Sequence, residues 1–388
     1  MTVAYVTDLE GMWDRLRTFA DGNSHVRLDG DRIELAPGVT FVFGGDAIDR
    51  GPHGMRIVRV LLEAKRRLGD RVVLIAGNRD LNKMRLGWEL RGHPSPRAPR
   101  GLGNPDLLRW IFTNTMGAGG AFEHRRTELG GVPDDDVVDS YLDDPDLRAY
   151  QAESQLAFRD GATLFVHGGL SDESLGAIPG RDRVTEPDAW IASLNTWYAE
   201  QVGELAKGRR PVALMGYQAP TPGSRNNLGS VVYSRTSDAL NNPLLPSPRV
   251  MERLGAAGIR RVVVGHTPNG DSPSVLRDHA AGFELVFADN SHARHEHGSR
   301  LVVEGDTLSI DARTEIDHDA ALHRLRFVLR LGEASPIGLR FGNRGQLIKG
   351  RLEGGDYVAF RYLPGYETEQ VAVTAREIEQ HALAPAAS

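Results

Sequence analysis

The chain has 388 residues, of which 40% are hydrophobic and 25% are charged, a composition that is ordinary for a globular protein with a large core. The formal net charge of −6 and the absence of any long apolar stretch argue against binding to nucleic acid polymers or membranes, and we expect a soluble cytoplasmic protein. The absence of cysteine excludes disulfides, thiol nucleophiles and thiolate metal sites.

Short apolar strands alternate with helical segments at the beginning of the chain. Strands are predicted at residues 3–7, 39–43 and 71–76, and residues 55–68 have the apolar spacing of a helix packed on a sheet. Each strand ends in a polar turn, and open α/β sheets bind ligands at such strand ends. The polar side chains of these turns are Asp8, Glu10, Asp46, Asp49, Arg50, Asn78 and Arg79.

Further strands are predicted at residues 163–166, 261–264 and 284–288, again followed by polar residues. The residues that follow them are His167, His266 and Asp289. No role is assigned to Asp289 from the sequence.

The chain is expected to divide into one large unit and a small one. A main domain is predicted for residues 1–315, with insertions at about 81–160 and 175–255 that are expected to cap the sheet edge and enclose the site. Alternating apolar runs predict a small β-rich appendage at 316–375, and residues 376–388 are expected to form a tail that is disordered from residue 380 onward.

The polar residues at five strand ends form a constellation suited to metal binding. Carboxylate, amide and imidazole groups that converge from parallel strands are what a pair of divalent cations needs. Asp46 can bridge both ions, and a water held between them becomes a hydroxide near neutral pH. Taken singly, His167 or His266 would more often be a core histidine, Asn78 a turn residue and Asp8 a helix cap. Their joint occurrence predicts a dinuclear site.

Five short motifs resemble, in order, those of the calcineurin-like metallophosphoesterases, most closely those of the phosphoprotein-phosphatase branch. They are Asp8-Leu9-Glu10-Gly11, Gly45-Asp46-Ala47-Ile48-Asp49-Arg50-Gly51, Gly77-Asn78-Arg79-Asp80, His167-Gly168-Gly169 and Gly265-His266-Thr267. The resemblance implies an α/β sandwich of two mixed β-sheets flanked by helices. It also implies hydrolysis of phosphate esters at a dinuclear centre, by attack of a metal-bridging hydroxide.

The resemblance further implies a ligand set for two ions, which would be Mn, Fe, Mg or Zn. The first ion would be bound by Asp8, Glu10 and Asp46, and the second by Asp46, Asn78, His167 and His266. Arg50 would clamp the phosphate, a task suited to a planar guanidinium.

Glu10 departs from the family pattern, which has a histidine at this position. As a ligand, Glu10 would make the first site harder and more anionic, favouring Mn²⁺, Mg²⁺ or iron over zinc. Alternatively, Glu10 does not ligate and holds a metal-bound water.

Arg79 also replaces a family histidine, one that helps to protonate the leaving group. Because arginine stays protonated, Arg79 cannot act as a general acid, but it can pair with Asp49 and stabilise developing charge. We therefore predict catalytic roles for Asp49, Arg50 and Arg79. His53 and His292 are candidates for proton delivery and, with Arg50 and Arg79, for contacts with the substrate.

The leading functional hypothesis is a metal-dependent phosphomonoesterase acting on a small phosphorylated metabolite, either a nucleotide or a sugar phosphate, because the insertions should enclose the site. The alternatives are a protein Ser/Thr phosphatase, a phosphodiesterase or dinucleotide hydrolase, and a non-catalytic metal-binding scaffold.

Overall fold

The computed structural model describes residues 1–142, 144–290 and 298–381. Two mixed β-sheets face each other across a shared core, in which the rings of Tyr5 and Phe165 stack with centroids 5.6 Å apart. Helices cover the outer face of each sheet. The predicted sandwich of two mixed sheets flanked by helices is therefore confirmed.

The first sheet has six strands with a parallel centre. The strands are β1 (Thr2–Val6), β4 (Val39–Phe43), β5 (Val72–Leu74), β11 (Arg300–Glu304), β12 (Thr307–Ile316) and β13 (Asp319–Arg330). Their order is β13-β12-β11-β1-β4-β5, and β1, β4 and β5 are parallel. All five residues of β4 are buried, as expected for a strand with parallel neighbours and covered faces.

The second sheet has five strands, of which three are parallel. The strands are β6 (Ala157–Asp160), β7 (Thr163–Val166), β8 (Arg261–Val264), β9 (Ser274–Asp278) and β10 (Phe283–Phe287). Their order is β6-β7-β8-β10-β9. The parallel strands end level, since Phe287 pairs with Val264, just as Phe43 pairs with Val6 and Leu74 in the first sheet.

Six helices pack on the outer faces of the sheets. They are α1 (Trp13–Ala20), α2 (Gly54–Leu68) and α8 (Pro145–Glu153) on the first sheet, and α9 (Pro187–Ala206), α10 (Val212–Tyr217) and α11 (Pro248–Ala256) on the second. A hairpin of β2 (Val26–Asp29) and β3 (Arg32–Leu35) flanks the first sheet. None of the described helices has the length and apolar character that crossing a membrane would require.

The first predicted insertion is mostly helical and has an apolar core of its own. The short helix α3 (Asn78–Asn82) leads into it. The helices that follow are α4 (Leu86–Glu89), α5 (Asn104–Ile111), the π-helical turn Phe112–Met116, α6 (Ala121–Glu128) and α7 (Asp134–Leu142). The second insertion carries the longer α9 and an irregular passage between α10 and α11. Both insertions border the cleft described below.

The C-terminal region differs from the predicted appendage at both ends. The strand β13 continues the first sheet rather than the appendage, because its apolar side chains, such as Leu325, belong to the core between the sheets. The extra sheet consists of β14 (Arg340–Phe341), β15 (Gln346–Arg351), β16 (Tyr357–Tyr362) and β17 (Thr368–Val373). A helix, α12 (Ala375–His381), occupies the start of the predicted tail, and residues 382–388 lie outside the described residues.

Candidate metal centre

The turns that follow β1, β4, β5, β7 and β8 meet at one edge of the sandwich, and we call them the floor. The backbone N–H of His266 donates to both carboxylate oxygens of Asp8 at 3.2 Å, although the two residues are 258 positions apart. One ligand atom from each of Asp8, Glu10 and Asp46 forms a group in which all atoms lie within 4.8 Å of one another, and Asp46, His167 and His266 form a second such group. Asp46 is common to both groups.

The backbone of the floor adopts positive φ values, which residues other than glycine rarely do. The values are 52° at Asp8, 45° at Glu10, 58° at Asp46, 130° at Asp49 and 62° at His266. Such conformations cost on the order of 1–3 kcal/mol each and cluster at functional sites. Hydrogen bonds between the turns hold them, including one of 2.8 Å from the N–H of Glu10 to the carbonyl of Asp46.

Two glycines allow the carboxylates of the floor to approach the neighbouring turns. A Cβ atom at Gly77 would collide with the side chain and the N–H of Asp46, and a Cβ atom at Gly265 would collide with the carboxylate of Asp8. The glycines of these motifs are therefore required by close packing around the two carboxylates.

Asp8 is fully buried, so the ionised form of its carboxylate is destabilised. Its Oδ2 accepts a hydrogen bond of 2.6 Å from the hydroxyl of Thr7. Burial raises the pKa of Asp8 to about 7, with His167 opposing and Asp46 adding to the rise. A cation bound here would favour the ionised form.

The histidines of the second group are arranged as metal ligands. The Nδ1 of His167 lies 2.8 Å from the carbonyl of Gly44, and its Nε2 lies 3.3 Å from both Asp46 Oδ1 and Asn78 Oδ1. Although burial opposes protonation, the nearby carboxylates, chiefly Asp46, raise the pKa of His167 to about 10. Among the described residues, the buried Nε2 of His266 has no hydrogen-bond partner. All six predicted ligands are thus gathered in one place, and this unpaired nitrogen fits a bound metal ion.

Arg79 connects the carboxylates of the floor. Its Nε lies 2.6 Å from Glu10 Oε1 and 3.6 Å from Asp46 Oδ2, and its Nη1 lies 3.3 Å from Asp49 Oδ2. The predicted ion pair between Asp49 and Arg79 is therefore present. Lys83, one helical turn after Arg79, forms a second ion pair with Asp49, and no sequence motif pointed to this role.

Arg50 forms an ion pair with the second carboxylate oxygen of Glu10. Its Nε lies 3.1 Å from Glu10 Oε2, and its side chain is 38% exposed, so it borders the cleft. Glu10 therefore lies between two guanidinium groups.

Asp289 belongs to the centre, although the sequence analysis assigned it no role. It follows β10, is 2% exposed and faces the same cleft as Glu10 and Asp46. Burial, reinforced by the charges of Asp8 and Glu10, raises its pKa well above the usual value. Like the predicted ligands, Asp289 follows a parallel strand, and this position was the signal in the sequence that could have identified it as a site residue.

The predicted substrate contacts at the two histidines have different outcomes. His53 lies at the start of α2 and lines a separate surface groove with Asp31 and Arg56, because the turn after Arg50 carries it away from the floor. His292 lies outside the described residues.

The floor opens into a cleft of about 950 Å³. Its walls come from the first insertion, which we call the cap, from the irregular passage before α11 and from the extra C-terminal sheet. Residues of these walls include Met116, Arg225, Tyr233, Arg235, Tyr362, Tyr366 and Thr368. The sequence analysis missed them, since no local pattern places distant loops around one site.

The C-terminal sheet holds the loop that carries His266. The hydroxyl of Tyr362 donates to the carbonyl of Pro268 at 2.7 Å and accepts from the N–H of Gly270 at 3.0 Å. The buried Nζ of Lys349 donates to the carbonyl of Asn269. This sheet is thus both a wall of the cleft and a support for the floor.

Comparisons with known proteins agree with this architecture. The family described as calcineurin-like phosphoesterase matches residues 1–270. A cold-active protein-tyrosine phosphatase from a psychrophilic Shewanella species is similar in structure, with a TM-score of 0.50 and 16% identity over 80% of this chain and 77% of that chain. A protein serine/threonine phosphatase from Saccharomyces cerevisiae (TM-score 0.44, 13% identity, 82% of each chain) and a metallophosphoesterase from Sphaerobacter thermophilus (TM-score 0.36, 13% identity, 79% of this chain and 84% of that one) are more distant. No curated protein sequence matches.

Proposed function

Because the chain belongs to the calcineurin-like phosphoesterase family, we propose that it is a dinuclear-metal-dependent phosphomonoesterase that hydrolyses a small phosphorylated metabolite, such as a nucleotide or a sugar phosphate. The observation that carries this proposal is the pair of buried ligand groups that share Asp46 at the base of a cleft of about 950 Å³. Family membership itself implies a phosphoesterase hydrolase.

The ligand groups have the composition that two divalent ions require. The second ion would be held by Asp46, Asn78, His167 and His266. The first would be held by Asp8 and Asp46 together with a further carboxylate oxygen, for which Glu10 is the predicted source. When bound, the ions supply Lewis acidity and an activated water nucleophile.

Three arginines act on the phosphate. Arg50 borders the cleft beside Glu10, and Arg235 lines the same cleft from the passage before α11, where its Nη1 donates to the carbonyl of His266 at 3.1 Å. These two guanidinium groups bind the phosphate oxygens. Arg79, fixed by Glu10 and Asp49, stabilises charge on the transferring group, and solvent supplies the proton of the leaving group.

The walls favour a small substrate over a folded phosphoprotein. Cap, loop and C-terminal sheet all border the cleft, so a ligand must enter between them, and Tyr233 and Tyr366 offer partly exposed rings against which a base or sugar can pack.

A substrate panel tests the proposal. Nucleoside monophosphates, sugar phosphates, phosphopeptides, dinucleoside polyphosphates and bis(p-nitrophenyl) phosphate are compared with Mn²⁺, Mg²⁺, Fe²⁺ or Zn²⁺ added. Fastest turnover is expected for a small monoester. Preferential turnover of phosphopeptides or diesters would replace the proposed substrate class, and metal binding without hydrolysis of any substrate would favour a scaffold.

A further inference from the structure

Both carboxylate oxygens of Glu10 are already paired with arginines. Oε1 lies 2.6 Å from Arg79 Nε and Oε2 lies 3.1 Å from Arg50 Nε, in a side chain that is only 4% exposed. Arginine remains charged at all accessible pH values, so Glu10 keeps two cationic neighbours and its charge is compensated by ion pairs with both. Although Glu10 lies near Asp8 and Asp46, a cation that it bound directly would also lie beside two guanidinium groups.

Asp289 is in the opposite situation. Its Oδ1 is buried and has no hydrogen-bond partner among the described residues, and the residue faces the cleft together with Glu10 and Asp46. A buried carboxylate oxygen without a partner is costly. The neighbouring carboxylates increase that cost, and the charge of Arg15 offsets only part of it. A cation is the group that would satisfy it.

The register of the sheet places Asp289 level with the established strand ends. Since Phe287 pairs with Val264 in parallel strands, Asp289 lies two residues beyond β10 as His266 lies two residues beyond β8. The carbonyl of Asp289 accepts a hydrogen bond of 3.0 Å from the N–H of Asn269, which ties these two turns together.

We infer that Asp289, and not Glu10, supplies the oxygen ligand that completes the first metal site beside Asp8 and Asp46. Glu10 is a positioning residue that orients Arg79 and Arg50 for phosphate binding. This inference rests on the proposed metal centre. The family has a histidine ligand at the position of Glu10, and the inference gives the role of that ligand to Asp289, at a different strand end. The resulting first site contains only oxygen ligands and favours Mn²⁺ or Mg²⁺ over Zn²⁺.

The test is a titration of the metal-free full chain with Mn²⁺, in which binding is measured by calorimetry and by electron paramagnetic resonance. The wild type is expected to bind two ions per chain. Asp289→Asn is expected to bind one ion as the wild type does and the other more than about 100-fold more weakly, beyond the loss that is typical of an outer-shell partner. Glu10→Gln is expected to keep both ions, with a raised KM for the phosphate ester and weaker inhibition by inorganic phosphate. Asp278→Asn, at the end of β9, is the matched control.

Thermal unfolding of the metal-free proteins provides a second readout with opposite signs. Asp289→Asn should raise Tm, because it removes a buried carboxylate whose Oδ1 has no hydrogen-bond partner among the described residues, whereas Glu10→Gln should lower Tm, because it removes a charge that pairs with both Arg50 and Arg79. Mn²⁺ should then raise the Tm of the wild type more than that of Asp289→Asn.

The inference is overturned if Glu10→Gln loses an ion while Asp289→Asn keeps both, or if metal-free Asp289→Asn is less stable than the wild type. A wild type that binds two Mn²⁺ ions but hydrolyses no ester refutes the proposed function and leaves the ligand assignment supported by the variants. A wild type that binds no Mn²⁺ refutes both.

Discussion

The floor and the walls of the cleft are built in different ways. The floor consists of short turns at parallel strand ends, with strained backbone and buried charges. The walls consist of longer segments from the cap, the passage before α11 and the C-terminal sheet, and they carry partly exposed arginines and tyrosines. The difference suggests a division of labour, in which the floor performs the chemistry and the walls select the substrate. Variants of the metal ligands and of Arg79 in the floor should therefore lower kcat, whereas variants of the walls should raise KM.

The largest effect is expected from Asp46→Asn. Asp46 is shared by both ligand groups, so its loss should disrupt both metal sites and lower turnover about 10³-fold or more. Turnover and metal content should fall together. Asp278→Asn should retain both, and a metal-depleted Asp46→Asn with normal turnover would contradict the assignment of the floor to catalysis.

Arg79→Ala should lower kcat about 100-fold, because a fixed guanidinium no longer faces the transferring phosphoryl group. Steady-state kinetics with metal content measured in parallel separates this effect from loss of the ions. Arg79→Lys should recover only part of the activity, since an ammonium cannot reproduce the contacts to both Glu10 and Asp49. Undiminished turnover in Arg79→Ala would refute the role.

Arg235→Ala tests the walls. Loss of a charge-assisted contact to phosphate should raise KM about 10-fold with a smaller change in kcat. Arg249→Ala, at an exposed arginine of α11, is the control and should leave both constants unchanged. An effect of Arg235→Ala on kcat alone would contradict a role in substrate binding and would indicate that Arg235 takes part in the chemical step.

The smallest effect concerns the support of the floor by the C-terminal sheet. Burial lowers the pKa of Lys349 from its usual 10.5 to about 8, with Asp271 opposing the change. Between pH 8 and 10.5 the unfolded chain therefore binds more protons than the native protein at this residue, so stability should rise with pH. The free energy of unfolding of the wild type relative to Lys349→Met should increase by about 2 kcal/mol from pH 8 to pH 10. Equilibrium denaturation at several pH values measures it, and a decrease would contradict the buried charge.

Much of the floor was predictable because its signals are local. An apolar strand followed by glycine and a carboxylate or histidine is visible within a few residues, and the pairing of Asp49 with Arg79 was implied by the family resemblance. Asp289 gave the same kind of signal but lacked a familiar motif. Its importance became visible only when its unpaired oxygen was seen beside the paired oxygens of Glu10.

The walls were not predictable in the same way. Arg235 and Tyr362 come from segments 127 residues apart, and nothing in either segment indicates a shared cleft. His53 shows the converse error, since a position three residues after Arg50 did not bring it to the cleft. Closeness along the chain says little about direction once a helix begins.

The sequence by itself determined the strands and the residue types at their ends, because strand periodicity and turn chemistry act over a few residues, and the resemblance of its motifs to a known family implied the sandwich of mixed sheets. Only the tertiary structure decided which carboxylates are paired with arginines, which are left for a cation, and which distant loops enclose them. Those outcomes depend on packing between residues as far apart as Asp8 and His266, 258 positions along the chain, and no local pattern encodes them.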